Sequence, residues 1–447
     1  MSDKIKRRGV DLRQGEISFT ATGDSFITRR LASDSVDFKE VSQLINQGDF
    51  KFTNFEMTTP STGKMPSAVS GGTWASAQPE VINDLKSYGF NCVAWANNHT
   101  LDYLYKGLLD TKYHLEKAGL VHAGVGENLA EASSPKYIDL ASGRVALIAL
   151  TSTFHETWLA GEQRRDGSGR PGVNGLRYTN HYQTTYENLK LLKEIAEETG
   201  INAQRNLDIL EGFLPHENKQ EVTFGNHKFS ESKVPGRKRT PNERDMKRTI
   251  ASIHEAKRQA DYIVVSIHSH EMQGEDKQLT ADFIEKVSRI FIDEGADAIL
   301  GHGPHILRGI EIYRNRPIFY SLGNFIFQND TVSFLPADFY EKYGLSADKN
   351  VADAIDKRSS KDTIGLGTNP LVWESVIPYW KMKEGELTEV VLYPIELGYG
   401  KKRYQRGWPK VSKKSSILTE LQKLSTPYGT QIQIENNVGI IKLNNKA

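Results

Sequence analysis

At five places in the sequence an acid, an amide or an imidazole follows directly on a strand-like run. Gly23-Asp24 follows Ile17 to Thr22, Asn54-Phe55-Glu56 follows an extended stretch from Phe50, and Asn97-Asn98-His99 follows Asn91 to Ala96. His268 closes the run from Asp261, and His302 with His305 follows Asp297 to Gly301. Hard or borderline cations need oxygen and nitrogen ligands that converge from separate elements, and strand C-termini deliver such ligands rigidly. Carboxylate, amide and imidazole together suit Mn, Fe or Zn better than Ca or Mg. A single Asp beside a glycine is a turn former, and a single Asn-Asn pair is a loop. Their recurrence at successive strand ends is what points to a metal or catalytic site.

The elements that must position these groups alternate between strand and helix patterns, which is the grammar of an α/β fold. Phe38, Val41, Leu44 and Ile45 recur at helical spacing, as do Val81, Ile82 and Leu85 before Gly89, and Leu104, Leu108, Leu109 and Leu115 before Gly119. Val145 to Leu150 is a buried strand, and Phe283 to Phe291 forms a helix ended by Gly295. The alternation breaks at about 155–245, which reads as an insertion or lid, or as a tolerated surface insertion. It holds Gly-Pro punctuation, one helix (Tyr186, Leu189, Leu192, Ile195) and a weakly patterned basic stretch. A hairpin turning at Asn315-Arg316 follows, then a polar, irregular region from Gln328 to about Pro370. Next come a strand from Glu389 to Ile395, a short helix near Leu418 to Leu424 and a hairpin at Asn436-Asn437. The expected organisation is a polar tail (1–16), a main domain (17–330) with the insertion, and a C-terminal extension (331–447) that completes it.

Composition narrows the function. Of 447 residues, 38% are hydrophobic and 25% charged, enough for a packed core and a polar surface. Lys+Arg 57 against Asp+Glu 56 leaves +1, so no global polycation argues for nucleic acid. The lone cysteine, Cys92, excludes an internal disulfide and a thiolate cluster, and its apolar run predicts a plain buried thiol. A polar N-terminus without an apolar stretch, and no run near the roughly 18 apolar residues a membrane span needs, predict a soluble, cytoplasmic protein with no transmembrane segment. There is no P-loop, dinucleotide fingerprint or nucleophile elbow. His114, His155, His181, His216, His227 and His254 read as surface residues and His122 as core. His270, two residues past His268, reads as a support behind a ligand. Two basic clusters, 233–248 and 401–414, would attract a polyanionic or phosphorylated substrate if they border the site, with Arg237, Lys238, Lys402 and Arg403 as substrate-binding candidates. Otherwise they are solvated surface.

The ordered set TATGDSF, TNFEMTTP, WANNHTLDY, SIHSH, ILGHGPHILRGIEIY and PIFYSLGNF resembles the CapA family of poly-γ-glutamate capsule proteins, which is similar to the calcineurin-like metallophosphoesterases. The terminal STPYGTQIQIENNVGII resembles the family's closing segment. The resemblance implies two mixed β-sheets packed as a sandwich and flanked by helices. It implies one or two divalent ions (Mn, Fe or Zn) held by Asp24, Glu56, Asn98, His268, His302 and His305, with His99 as general acid. Two departures stand out. Phe26 occupies a position where the superfamily has a histidine, which leaves the first metal position one ligand short. Pro304 stretches the GHxH pattern by one residue, so His305 serves only if its loop compensates. Capsule members typically carry an N-terminal membrane anchor, which this polar N-terminus does not supply. The implied activity is metal-dependent hydrolysis of a phosphoester or γ-glutamyl amide of an anionic small-molecule or polymer substrate. The alternative is a non-catalytic assembly or binding factor working with capsule-synthesis proteins. A nuclease is disfavoured because no aromatic-plus-basic groove is legible.

Overall fold

The computed structural model describes residues 15–61, 65–216 and 221–443, and the polar stretch 1–14 lies outside them. The chain divides into two compact units, Met1–Gly175 with Lys247–Ala447, and Leu176–Met246.

The first unit opens with β1 (Glu16–Phe26), α1 (Val36–Ile45), β2 (Phe50–Phe55), α2 (Val81–Tyr88), β3 (Cys92–Ala94), α3 (Leu104–Lys117) and β4 (Val121–Ala123). A hairpin of β5 (Lys136–Leu140) and β6 (Gly143–Thr151) follows. Further along the chain come β7 (Tyr262–His268), α4 (Asp282–Glu294), β8 (Ala298–His302), β9 (Ile310–Tyr313), β10 (Arg316–Phe319) and β11 (Asn324–Phe327). The last elements are α5 (Val351–Ser359), β12 (Glu374–Lys383), β13 (Glu386–Glu396), β14 (Lys410–Val411), α6 (Ser415–Ser425), β15 (Ile432–Glu435) and β16 (Val438–Ile441).

Among the described residues these strands form a ten-stranded sheet, β15-β16-β13-β12-β1-β2-β3-β4 with β11 on β1 and β14 on β13, and a six-stranded sheet, β9-β10-β8-β7-β6-β5. Both are mixed. β1 to β4 run parallel, as do β6, β7 and β8, so each group presents its C-terminal ends together. The period of two along each strand sends Ile17, Phe19 and Ala21 of β1 into one buried cluster with Val145 and Leu147 of β6, Val264 of β7 and Leu300 of β8. The two sheets therefore pack face to face, and each fully buried aliphatic or aromatic side chain contributes about 1.5–3 kcal/mol. A second core joins the helical faces of α1, α2, α3 and α5 to Val93, Trp95 and Phe325. Cys92 is fully buried, and burial pushes its thiol well up, as expected for an inert side chain.

Three local expectations change. The hairpin turn sits at Arg314-Asn315, one residue earlier than expected, because both residues adopt the left-handed backbone (φ 48° and 58°) that a tight hairpin needs. The region after Gln328 is irregular only in part. It contains a helix at Ala337–Lys342 and then α5, whose start is fixed by a capping box between Asn350 and Asp353. β12, central to the large sheet, had no sequence signal. Its Pro378 is tolerated because pairing with β1 stops at Tyr379.

The second unit holds the expected helix, Tyr186–Thr199, and a further one, Ala203–Leu210. It also holds a four-stranded sheet ordered Val222–Phe224, His227–Glu231, Tyr178–Thr184, Gly236–Pro241. Arg237 and Lys238 lie exposed on its last strand.

Candidate metal centre

The strand ends meet. Asp24 sits in β1 where its register with β2 shifts, Glu56 follows β2, Asn98 and His99 follow β3, and His268 and His302 end β7 and β8. His268 and His302 are register partners on adjacent parallel strands, which puts both rings on one face. Gly23 permits the closure, since a Cβ there would stand 1.9 Å from the carbonyl oxygen of Gly323.

Two sets of potential ligand atoms each fall within 4.8 Å of one another: Asp24 with His268 and His302, and Glu56 with His270 and His305. His268 Nδ1 lies 2.9 Å from His302 Nδ1, and its Nε2 lies 3.0 Å from His270 Nε2 and 2.8 Å from Asn98 Oδ1. Donors bound about 2.0–2.2 Å from a common ion stand roughly 3–3.5 Å apart, so this is the spacing of a ligand set. Asp24 Oδ1 is 3.5 Å from His302 Nδ1, and its Oδ2 is 3.5 Å from His305 Nδ1. Five of the six expected residues thus fall in the two sets, and Asn98 touches His268. His270 stands beside Glu56 and His305 rather than behind a ligand.

Burial moves these groups toward their uncharged forms. Burial pushes the Asp24 carboxyl up to about 7, against bonds from Asn54 Nδ2 (2.8 Å) and the Gly303 N–H (3.1 Å). Burial raises Glu56 well above the ordinary carboxylate range, and the charges of Asp24 and Asp102 push the same way. Among the imidazoles, burial pulls His302 and His305 down to about 3 and lowers His268 and His270 well below their usual value. Both buried oxygens of Glu56 lack a hydrogen-bond partner, although His268 Nε2 lies 3.8 Å away and His99 Nε2 3.9 Å. A buried carboxylate without donors is costly unless a proton or a cation compensates it. Neutral imidazoles around two carboxylates are the donor set a divalent ion takes.

Supporting contacts fix the donors. Asn324, the register partner of Asp24, spends its amide nitrogen on the carbonyls of His305 (3.2 Å) and Val372 (2.9 Å). Its oxygen therefore faces His305 Nδ1 at 2.8 Å, which places the ring proton there and the lone pair on Nε2. This clamp also holds His305 in the left-handed backbone region (φ 63°), the loop adjustment that Pro304 requires. Ser266 Oγ lies 2.7 Å from His302 Nε2, leaving Nδ1 toward Asp24. Arg308, fully buried, donates to the carbonyls of Glu271 and Lys277 (both 2.9 Å) and so shapes the loop that carries His270.

His99 is held differently. Its Nδ1 is 2.7 Å from Asp102 Oδ2, and Asp102 accepts from the Ala75 N–H at 2.7 Å and the Gly71 N–H at 3.4 Å. Asp102 was not singled out from sequence, although it stands in the same WANNHTLDY run one helical turn after His99. Asn324 and Arg308 were likewise present in quoted motifs without an assigned role. Phe26 is buried with its ring edge-on to His99, 5.3 Å between centroids, so it shapes the wall of the site and supplies no ligand. Of the 401–414 cluster, Lys402 is exposed and Arg403 pairs with Asp356 and Asp362 (2.6 and 2.9 Å).

A family model described as bacterial capsule synthesis protein PGA_cap matches residues 18–329, a span that contains both ligand sets and His99. The chain belongs to the PGA_cap family. Among relatives of this PGA_cap chain, the uncharacterized protein y4sH of Sinorhizobium fredii is 35% identical over 442 residues, covering 95% of this chain and 93% of that protein. The PGA biosynthesis protein CapA of Bacillus subtilis is 32% identical over 67% of this chain and 59% of its own length. The capsule biosynthesis protein CapA of Bacillus anthracis is 27% identical over 71% of this chain and 62% of its own length. Among the described residues of this PGA_cap chain, no helix is long and apolar enough to cross a membrane.

Proposed function

We propose that this chain is a metal-dependent hydrolase of the CapA type, acting on a phosphoester or a γ-glutamyl amide of an anionic substrate in poly-γ-glutamate metabolism. The observation that carries the reading is Glu56, a fully buried carboxylate with two unpartnered oxygens among imidazole nitrogens and beside a histidine held by an aspartate. Asp24, His268 and His302 would hold one ion, and Glu56, His270 and His305 would hold a second, with Asn98 on that side of His268. When bound, a divalent ion (Mn, Fe or Zn) supplies acidified water and polarises the oxygen of the electrophile. His99 keeps Nδ1–H on Asp102, so its Nε2 is the atom that carries a proton to the leaving group. Asp102 stabilises the ring when it is charged. Asn98 Nδ2 donates to the Gly71 carbonyl at 3.3 Å, which turns its oxygen inward. Phe26 and Phe327 form apolar walls beside His99.

A second reading, a non-catalytic assembly or binding factor for capsule synthesis, is favoured by Phe26, where a ligand of the wider superfamily is absent. Relatives in Mycobacterium tuberculosis carry the name probable polyglutamine synthesis accessory protein. Elemental analysis of the purified protein, with assays on bis-p-nitrophenyl phosphate and γ-glutamyl-p-nitroanilide, separates the two. Bound Mn, Fe or Zn with turnover of either probe supports the hydrolase. Bound metal with neither probe cleaved moves the case to the assembly factor.

A further inference from the structure

A cavity of about 200 Å³ opens beside the metal centre, lined by Phe26, His99, His305 and Phe327 together with residues of α5 and the turn after it. Two arginines and two aspartates line it: Arg358, Arg406, Asp330 and Asp362. Arg406 is committed. Its Nε donates to Asp330 at 2.8 Å, its guanidinium lies 4.8 Å over the Trp373 ring, and Asp362 is 3.4 Å away. Asp362 is further held by Arg403 at 2.9 Å. Arg358 differs: one of its amino groups donates to Thr73 Oγ and its guanidinium lies 5.8 Å over the Phe339 ring. Among the described residues no carboxylate lies within ion-pair distance of it. Both lining aspartates are paired to other arginines, and although their charges still reach Arg358, it is the lining arginine left without a carboxylate at ion-pair distance. Arg358 also lies beyond residue 329, where the PGA_cap match ends, so the shared motifs do not supply it.

We infer that Arg358 is the residue that selects the substrate. It takes a single carboxylate of a small molecule whose apolar body lies against Phe26, Phe327 and Ile364 and whose reacting group reaches His99. One planar fork fits one carboxylate bidentately. A phosphate dianion would leave a second negative charge near Asp330 and Asp362 without a partner. The inference rests on the reading of His99 and its neighbours as the reacting centre.

Ligand-observed NMR titration of the full-length protein tests it with three probes: pentanoate, pentanamide and inorganic phosphate. Pentanoate should bind at least tenfold more tightly than pentanamide or phosphate. Arg358→Met should lose at least tenfold for pentanoate and nothing for pentanamide, while Lys357→Ala, exposed on the same helix, should match the parent. Thermal unfolding checks that the variants fold. Arg358→Lys keeps the charge without the fork, should fall between parent and Met variant, and decides the case if the Met variant does not fold. Equal pentanoate affinity in parent and variant, or tighter phosphate binding that depends on Arg358, overturns the inference. Bound metal and turnover of bis-p-nitrophenyl phosphate are measured on the same samples. Their absence counts against the hydrolase and leaves the Arg358 result to be judged by pentanoate alone.

Discussion

Asp24, Glu56 and His268 are completely buried at the ends of parallel strands, whereas Arg358, Asp362 and Gly367, from a short helix and a turn, line a cavity that reaches the cluster at His99 and His305. The turn passes through three successive left-handed residues, Ser360, Lys361 and Asp362. The strand ends are positioned by ladder register and by a core on both sides, so each donor has one accessible place. The turn is positioned by polar ties, chiefly Arg403 and Arg406 to Asp362. Reaction chemistry tolerates little displacement, and selectivity tolerates more, which is why rigid elements suit the first and connecting segments the second.

The comparison can be broken most sharply at His99. His99→Ala should lower turnover by about 10²–10⁴-fold while bound metal, measured by elemental analysis, stays near the parent level. Metal lost along with activity would mean that His99 belongs to the ligand set and that the strand ends are not the independent unit described above.

A smaller effect is expected at the clamp on His305. Asn324→Ala should weaken metal binding by about 10–100-fold, read by competition with a chromophoric chelator, because it frees both the ring and the backbone of a strained residue. An unchanged affinity would show that the strand register holds His305 without the amide.

Acid should act on the strand ends and spare the turn. His302 and His305, pulled down to about 3, are already neutral in the physiological range and do not compete there. Asp24, raised to about 7, and Glu56, raised well above the ordinary carboxylate range, must lose their protons before they can hold a cation, so protons compete through that range. Apparent metal affinity should therefore climb, by up to about tenfold per pH unit per proton displaced, as pH rises from 5 through 7. A flat titration from pH 5 to 8 would remove Asp24 from the ligand set.

The smallest change is expected where charge sits furthest from the strand ends in character. Lys402→Glu with Arg403→Glu should release Asp362 and raise KM roughly two- to fivefold, more than it lowers kcat. Arg237→Glu with Lys238→Glu tests the other basic cluster in the same assay. An unchanged KM in both would make the clusters solvated surface.

The candidate donors stood out because most follow a strand with a strong local signature: an apolar run followed at once by Gly-Asp, Asn-Phe-Glu or Asn-Asn-His. Gly89 and Gly295 ended helices for the same local reason, both adopting the left-handed cap. β12 was invisible because Pro378 and its scattered lysines break the alternating pattern, and its place depends on β1 and β13 alone. His270 was misplaced because two-residue spacing along a strand implies a shared face, yet β7 ends at His268. The bond from the His270 N–H to Thr153 Oγ, at 2.8 Å, then sets the new direction.

By itself the sequence determined the α/β alternation, the buried thiol and which polar groups follow the strands, since each follows from neighbours along the chain. Tertiary structure alone decided the rest: the division of candidate donors into two sets, the tautomer of His305, and Arg358 as the cavity arginine without an ion-pair partner. The physical reason is distance in the chain. The contact between Asp24 and His305 spans 281 residues. Whether Arg358 meets a carboxylate depends on where Arg403 and Arg406 spend theirs, and neither can be read from local composition.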